Sequence, residues 1–196
     1  MDAEQPQLIV LAGPNGAGKS TGAKSLLEGA IKVTEFVNAD VIARGLSAFH
    51  PEKVAIEAGQ IMLERLHNLA AQRCDFAFET TLASRTFAPW ISRLCDGGYS
   101  FHLAYFWLPS PEMAVARVAD RVRLGGHDVP AETIHRRYYA GLRNFFALYQ
   151  RLTETWTFYD NSQRGGARVI ASGGGTVVET IRDPESWEQI QRSAAE

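Results

Sequence analysis

The stretch LIVLAGPNGAGKST, from Leu8 to Thr21, decides the fold of this chain. Its beginning, residues 8–12, is a short continuous apolar run, which is typical of a parallel strand buried on both faces. The segment GPNGAGKST (residues 13–21, called the phosphate loop below) satisfies the pattern G-x-x-x-x-G-K-[ST]. Because the pattern stands between an apolar strand and a helix, we predict a phosphate-binding loop at this point.

The glycines and the lysine of the phosphate loop explain its chemistry. Glycines let backbone N–H groups turn inward, and the helix that follows adds a partial positive charge, so the loop forms a cradle for anions. We expect Lys19 to reach the β- and γ-phosphates of ATP and the Ser20 hydroxyl to bind Mg²⁺. The residues predicted to contact the nucleotide here are Gly13, Pro14, Asn15, Gly16, Ala17, Gly18, Lys19, Ser20 and Thr21.

Length and composition predict one soluble domain. The 196 residues suffice for a single well-buried domain, and 45% hydrophobic with 21% charged residues is ordinary for a globular protein. A net charge of −2 gives no indication of a nucleic-acid or membrane partner. No apolar run approaches the roughly 20 residues of a membrane helix, and the acidic start does not resemble a signal peptide. We therefore expect a single cytoplasmic domain over residues 1–196, with Cys74 and Cys95 reduced.

Strand and helix patterns alternate along the rest of the chain. Apolar runs predict strands at residues 8–12, 33–38, 76–78, 101–108, 156–159 and 168–171. Helical periodicity and capping residues predict helices at 19–28, 52–72, 86–94, 111–124, 131–153 and 184–191, with Ser110 and Pro111 starting the fourth. Strands separated by single helices form a parallel sheet covered on both faces. The predicted fold is a three-layer α/β fold of the P-loop NTPase type, with a central parallel sheet.

The remaining motifs exclude two large classes of P-loop protein. An ABC-type ATPase needs an LSGGQ-like signature and a strand that ends in Asp-Glu, but residues 76–81 end in Glu-Thr-Thr. A Ras-like GTPase needs N-K-x-D for guanine, and this motif is missing as well. Small P-loop kinases remain, and their hallmarks are an acid after the second strand and an arginine-bearing lid.

An acid of the expected kind follows the second predicted strand. Asp40 comes just after that strand, at the edge of the sheet where open α/β proteins bind ligands. A carboxylate there accepts the proton of a substrate hydroxyl, and the alternative is that Asp40 only caps the next helix or turn. Glu79 and Thr81 end the third strand at the same edge and are predicted to bind substrate. Glu79 is also a candidate for holding Mg²⁺ through water, and turn formation at the strand end is the alternative for this pair.

Arginines mark a candidate lid over residues 117–137. Every basic residue after Lys53 is an arginine or a histidine, and arginines flank a Gly-Gly loop that ends in proline. The planar guanidinium suits phosphate binding, and such a loop suits closure over ATP. Solvated helix faces are the alternative for each single arginine. We predict Arg121 and Arg136 as the catalytic pair.

Six segments carry a family resemblance, namely AGPNGAGKST, FVNAD, FAFETTL, RVADRVRLGGHDVP, RRYYAGLRNF and YDNS. Through them, residues 8–162 resemble the zeta-toxin-like family of small P-loop kinases. The resemblance implies a nucleoside-monophosphate-kinase-like fold with a helical lid. It also implies phosphorylation of a hydroxyl group, which in zeta toxins proper belongs to UDP-N-acetylglucosamine. An antitoxin protein becomes a candidate partner, on which the residues themselves are silent.

The resemblance assigns roles residue by residue. Lys19 and Ser20 match the phosphate and magnesium positions, and Asp40 matches the general base. Glu79 and Thr81 match the acid and hydroxyl that contact the substrate, although zeta toxins proper have Glu-Gly-Thr where this chain has Glu-Thr-Thr. The two arginines on the γ-phosphate fall within 117–137. The turn at 160–162, with Asn161, matches the turn beside the nucleotide base.

Two functions remain open from the sequence. The first is an ATP-dependent kinase that uses Mg²⁺ and phosphorylates a small-molecule hydroxyl, with Asp40 as the base. The second is a nucleotide-switched ATPase or binding protein, in which hydrolysis drives a conformational change without phosphorylation of a substrate. Because only the first needs a base for an acceptor hydroxyl, Asp40 discriminates between the two.

Overall fold

A single sheet organises the residues described by the computed structural model, which are 5–26, 33–126, 128–163 and 165–196, the side chains of 24–26 excepted. Its strands are β1 (Gln7–Ala12), β2 (Glu35–Val37), β3 (Phe76–Thr80), β4 (Ser100–Trp107), β5 (Thr155–Asp160), β6 (Arg168–Gly174) and β7 (Val177–Ile181). They lie in the order β2-β3-β1-β4-β5-β6-β7. The α-helices are α1 (Lys19–Leu26), α2 (Ala39–Leu46), α3 (Ala55–Ala71), α4 (Phe87–Asp96), α5 (Pro111–Arg123), α6 (Ala131–Asn144) and α7 (Pro184–Ala195).

The predicted α/β fold is confirmed, with one correction to the sheet. The strands from β2 to β5 are parallel, but β6 pairs antiparallel with β5, and β7 pairs antiparallel with β6. No helix separates these last strands, and short connections can only return the chain antiparallel. Strand β7 was not predicted, because its residues VVETI are exposed along their whole length and show no clear alternation.

Strand β1 shows how the sheet is covered on both faces. Leu8 and Val10 belong to a core cluster with side chains of α3, α4, α6 and α7. Ile9 and Leu11 point the other way, into a second cluster with side chains of α1 and α5. Because successive residues of a strand face opposite sides, a continuous apolar run is what a strand between two helical layers requires.

Several helices differ from their predicted bounds. The helix α2 was not predicted, and the helix predicted from residue 52 begins with a 3₁₀ turn (Pro51–Val54) before α3. The long helix predicted to residue 153 ends at Asn144 and continues as a π turn (Phe145–Tyr149) and a 3₁₀ turn (Gln150–Leu152). The predicted end of α1, at residues 28–29, lies outside the described residues.

The start of α5 agrees with its prediction. The Ser110 hydroxyl oxygen accepts a hydrogen bond from the Met113 backbone N–H at 3.2 Å, and Pro111 is the first helical residue.

Within the described ranges, none of the helices combines the length and the apolar character that a bilayer crossing requires.

Candidate functional site

The phosphate loop has a backbone that only glycine tolerates at its key positions. Gly13 has φ +136°, and a Cβ atom there would lie 2.2 Å from the Phe106 carbonyl oxygen. Gly18 has φ +77°, and its Cβ would lie 2.5 Å from Asn161 Nδ2. Left-handed backbone and close neighbours together exclude side chains. The loop is therefore held in a conformation that presents backbone rather than side chains to a ligand.

Lys19 is folded into the phosphate loop and is only 5% exposed. Its Nζ donates hydrogen bonds to the carbonyl oxygens of Gly13 at 2.8 Å and Pro14 at 2.9 Å, and it lies 3.6 Å from Glu79 Oε1. Burial lowers the pKa of Lys19, while the carboxylates of Glu79 and Asp40 oppose the shift. A buried ammonium fixed by two carbonyl groups and facing a carboxylate is a preformed partner for phosphate oxygens.

The side chains of Ser20, Asn38 and Glu79 form one hydrogen-bonded group beside Lys19. Ser20 Oγ and Asn38 Nδ2 each donate to Glu79 Oε2 at 2.6 Å, and Asn38 Nδ2 lies 3.4 Å from Ser20 Oγ. A hydroxyl has one proton and two lone pairs, so Ser20, which donates to Glu79 and accepts the long hydrogen bond from Asn38, keeps one lone pair available. The structure therefore places Glu79 next to Ser20, the residue that the sequence predicts to bind Mg²⁺.

Asn38 is a site residue that the sequence analysis missed. It is 5% exposed, and its Oδ1 accepts hydrogen bonds from the backbone N–H groups of Asp40 at 2.8 Å and Val41 at 3.2 Å. It is thus the N-cap of α2, a role in which asparagine is strongly preferred. Asparagine before Ala-Asp-Val-Ile-Ala was the available signal, and it would have predicted this helix.

Asp40 lies in the first turn of α2, where a helix favours a carboxylate. Because Asn38 caps the helix, the alternative role of Asp40 as the cap does not apply. Asp40 is exposed, and its charge opposes the burial that lowers the pKa values of Lys19 and Arg137. Asp40 also lines a small cavity, of about 40 Å³, together with Ala39, Ala43, Pro51 and Ala55.

Thr81 is the first residue after β3, and it is partly exposed. It begins the segment of residues 81–84, called the acceptor loop below. In this segment Leu82 is buried and has φ +59°, a conformation that is uncommon outside glycine. Thr80 Oγ1 supports the turn by accepting a hydrogen bond from the Leu82 backbone N–H at 3.1 Å.

Two arginines of the predicted lid face the phosphate loop. Arg137 Nη1 donates to Asn15 Oδ1 at 3.2 Å. Burial and the neighbouring Arg136 lower the pKa of Arg137, and Asp40 opposes the shift. Arg121 lies close enough to Lys19 for its charge to lower the pKa of the lysine. The structure thus brings Arg121 of the predicted pair to the site, together with Arg137 rather than the exposed Arg136.

Two other arginines of the lid have different partners. Arg117 donates to the carbonyl oxygens of Asn161 at 2.7 Å and Ser162 at 2.6 Å. Arg123 forms an ion pair with Asp120 on the surface of α5. Arg117 therefore holds the turn that the sequence analysis placed beside the nucleotide base.

That turn is tied directly to the phosphate loop. Asn161 Nδ2 donates to the Ala17 carbonyl oxygen at 2.7 Å. Asp160 is buried, which raises its pKa, but hydrogen bonds from Ser162 and Arg168 outweigh burial and hold the pKa below its usual value. Asn161 is thus positioned over the loop by its own side chain and by Arg117.

The residues present fit Mg²⁺ and a nucleoside triphosphate. The glycine cradle and Lys19 suit phosphate oxygens, while Ser20 and Glu79 offer oxygen ligands on one side of the loop. Mg²⁺ usually takes one or two protein ligands and completes its shell with water and substrate phosphates. No cluster of three or more His, Cys, Asp or Glu side chains suited to a metal occurs in the described part of the chain. The oxygen donors of Ser20 and Glu79 are compatible with Mg²⁺ bound together with a nucleotide.

Known proteins resemble this chain in sequence or in fold. An uncharacterized protein of Haemophilus influenzae is 28% identical over 134 residues, which are 68% of this chain and 94% of the relative. The AvrRxo1-ORF1:AvrRxo1-ORF2 complex with ATP contains a chain with TM-score 0.72 and 19% identity, over 96% of this chain and 64% of that one. This chain therefore spans less than two thirds of that neighbour.

A second solved structure is that of the PezAT chromosomal toxin-antitoxin system of Streptococcus pneumoniae. It matches with TM-score 0.62 and 16% identity, over all of this chain and 87% of that one. At this identity the two solved structures support the fold. The zeta toxin family profile matches residues 1–172, which is most of the sequence. The chain therefore belongs to the zeta toxin family.

Proposed function

We propose that the protein is an ATP-dependent phosphotransferase that phosphorylates a hydroxyl group of a small molecule. The observation behind the proposal is the position of Asp40. Its exposed carboxylate lies in the first turn of α2, two residues after Asn38, whose amide donates to Glu79 beside Lys19. The negative charge of Asp40 also opposes the burial that lowers the pKa values of Lys19 and Arg137. A candidate base next to two phosphate-binding cations is the arrangement that phosphoryl transfer to an alcohol needs.

Each residue has a distinct role in the proposed reaction. Bound with Mg²⁺, ATP supplies the γ-phosphoryl group. Asp40 accepts the proton of the acceptor hydroxyl, whose oxygen forms a bond to the γ-phosphorus as the bond to ADP breaks. Lys19 and the lid arginines stabilise the negative charge on the phosphoryl oxygens. Glu79 orients Ser20 toward the metal position, and a base in the place of Asp40 contributes roughly 10²–10⁴ in rate.

The acceptor that we propose to test first is UDP-N-acetylglucosamine. Support comes from membership of the zeta toxin family, together with the resemblance of Asp40, Glu79 and Thr81 to the family's substrate-binding positions. We place the reaction in the cytoplasm, where ATP is available. An antitoxin is the proposed partner, because the neighbouring PezAT structure is a toxin-antitoxin system.

The test is incubation with labelled ATP and a panel of nucleotide sugars and other alcohols, with detection of the product by mass. We expect one compound to gain a phosphoryl group. The Asp40→Asn variant should lose this transfer by at least about 10²-fold while binding ATP nearly as tightly as the wild type. Asp120→Asn is a matched control, because Asp120 is an exposed aspartate paired with Arg123 on α5.

The same experiment separates the kinase from the nucleotide-switched alternative. A switch releases ADP and phosphate with no phosphorylated compound anywhere in the panel, and its turnover does not depend on Asp40. Transfer that proceeds unchanged in Asp40→Asn would instead keep the kinase and remove the assigned base. Addition of the true acceptor should also raise the midpoint of thermal unfolding, since ligands that bind the folded state stabilise it.

A further inference from the structure

We propose that Asn144 and Tyr149 are positioning residues for the acceptor. They fix the acceptor loop (residues 81–84) against the helical stretch formed by α6 and its π turn. The inference rests on the proposed phosphotransfer, in which Thr81 contacts the acceptor. Neither residue is part of the phosphate loop or among the predicted site residues.

Consecutive carbonyl groups of the acceptor loop accept hydrogen bonds from these two side chains. Asn144 Nδ2 donates to the carbonyl oxygens of Leu82 at 2.9 Å and Ala83 at 3.0 Å. The Tyr149 hydroxyl donates to the Ser84 carbonyl oxygen at 2.8 Å. The loop has left the sheet at this point, so its carbonyl groups need partners other than a strand. The two side chains supply them, and in doing so they fix the path of the loop.

The backbone of the loop needs such support. Leu82 has φ +59°, and a non-glycine residue keeps this conformation only where its surroundings determine it. Its side chain is fully buried, its N–H is bonded to Thr80, and its carbonyl oxygen is bonded to Asn144. Loss of the Asn144 amide removes one of these three restraints. We therefore expect the turn that presents Thr81 to relax without it.

The same face of α6 also contacts the phosphate loop. Arg137, Gly141 and Asn144 follow one another at i, i+4 and i+7, a spacing that places them along one side of a helix. Arg137 reaches Asn15, while a Cβ atom on Gly141 would lie 2.6 Å from the Thr81 carbonyl oxygen. Gly141 thus lets the acceptor loop pack directly on the helix backbone. One rigid helix sets the distance between the phosphate loop and the acceptor loop.

The π turn extends this face to Tyr149. It begins directly after Asn144, and its first and last residues, Phe145 and Tyr149, are both fully buried. Such insertions frequently occur at functional sites. Here the turn allows the Tyr149 hydroxyl to reach Ser84 while its ring stays in the core.

The variants Asn144→Leu and Tyr149→Phe test the proposal by steady-state kinetics. The acceptor is the compound that the labelled-ATP panel identifies, with UDP-N-acetylglucosamine as the first probe. We expect the acceptor KM to rise about tenfold in Asn144→Leu and about threefold in Tyr149→Phe. The ATP KM should stay within twofold of the wild type, because the phosphate loop keeps its own contacts. An unchanged acceptor KM, or equal changes in both KM values, would overturn the proposal.

Tyr138→Phe is the matched control. Tyr138 lies on α6, as Asn144 does, and it is as buried as Tyr149. Its hydroxyl donates to the backbone carbonyl oxygen of Leu108 at 2.7 Å. Because its hydroxyl is bonded to Leu108 rather than to the acceptor loop, the acceptor KM of Tyr138→Phe should equal that of the wild type. A rise like that of Tyr149→Phe would show a general effect of lost buried hydrogen bonds.

Hydrogen exchange gives a measurement that does not depend on turnover. In Tyr149→Phe, and in Asn144→Leu if it folds, the amides of the acceptor loop should exchange faster, while those of the phosphate loop keep their rates. Equal exchange in wild type and variants would refute the positioning role. If the wild type phosphorylates nothing in the panel but the acceptor loop loses protection, the proposed function fails and the structural coupling stands.

Discussion

Replacement of Asn38 separates two contributions of one buried side chain. Its Oδ1 caps α2, and its Nδ2 donates to Glu79 at 2.6 Å. An N-cap contributes about 1 kcal/mol, and a hydrogen bond to a charged group contributes about 1.5–3 kcal/mol. Asn38→Ser keeps a capping oxygen and loses the donor, so about 1.5–3 kcal/mol of stability should be lost. Asn38→Ala loses both the capping oxygen and the donor, so about 2.5–4 kcal/mol of stability should be lost. We expect the losses in both variants to lie near the lower limits of these ranges, because Ser20 still donates to Glu79.

Urea unfolding measures these losses as changes in midpoint at constant m value. For a chain of this size, the loss in Asn38→Ala corresponds to a fall in Tm of roughly 5–15 °C. Ser110→Ala is the matched control, because Ser110 caps a different helix, α5, by accepting from the Met113 backbone N–H. It should cost about 1 kcal/mol and leave transfer intact. Equal stabilities of Asn38→Ser and Asn38→Ala would refute the capping role, and a loss below about 0.5 kcal/mol in both would refute the whole assignment.

Three further predictions concern charges of the site. Arg137→Ala should lower kcat by about 10²-fold or more, because Arg137 reaches the phosphate loop. Arg136→Ala should lower kcat by less than twofold, because Arg136 does not reach the loop. Similar losses of kcat in both variants would contradict the assignment of Arg137. Glu79→Gln should raise several-fold the Mg²⁺ concentration that gives half-maximal turnover. Binding of ATP in the absence of metal should change little. An unaltered Mg²⁺ requirement would contradict the role of Glu79. The lowered pKa of Asp160 means that its stabilisation is present above its ordinary pKa of about 3.9 and is lost as pH falls through the folded-state pKa. Unfolding measured between pH 6 and pH 2 should therefore show a smaller loss of stability on acidification in Asp160→Asn than in the wild type.

Local patterns explain what the sequence could predict. The phosphate loop is contiguous, and its glycines, lysine and serine are fixed by backbone sterics that the sequence states directly. The alternation of apolar runs and helical periods likewise predicts the layers and the parallel part of the sheet. The position of Asp40 at the sheet edge follows from the rule that ligands of such sheets bind beyond the strand ends.

The sequence could not predict features that depend on contacts between distant segments. Whether Arg136 or Arg137 faces the phosphate loop depends on the rotation of α6 about its axis, and adjacent residues differ by about 100°. Asn144 lies 62 positions from the loop residue that it holds, so no spacing pattern relates them. Asn38 was missed for a different reason. Asn38 itself was interpreted as the last residue of the second strand, although its position before α2 is a capping signal.

The environments of the two carboxylates assign their roles. Glu79 Oε2 already accepts hydrogen bonds from Ser20 and Asn38, Oε1 faces Lys19, and the side chain is only 13% exposed, so an incoming hydroxyl has little access to this carboxylate. Asp40 is exposed in the first turn of α2, where its side chain is open to solvent. A general base must have a free lone pair within reach of the proton that it accepts. The exposure of Asp40 suits the proposed base, whereas Glu79 accepts the hydrogen bond of the Ser20 hydroxyl. We therefore expect Glu79→Gln to alter the metal dependence with little effect on the transfer step. We expect Asp40→Asn to alter the transfer step with little effect on the metal dependence.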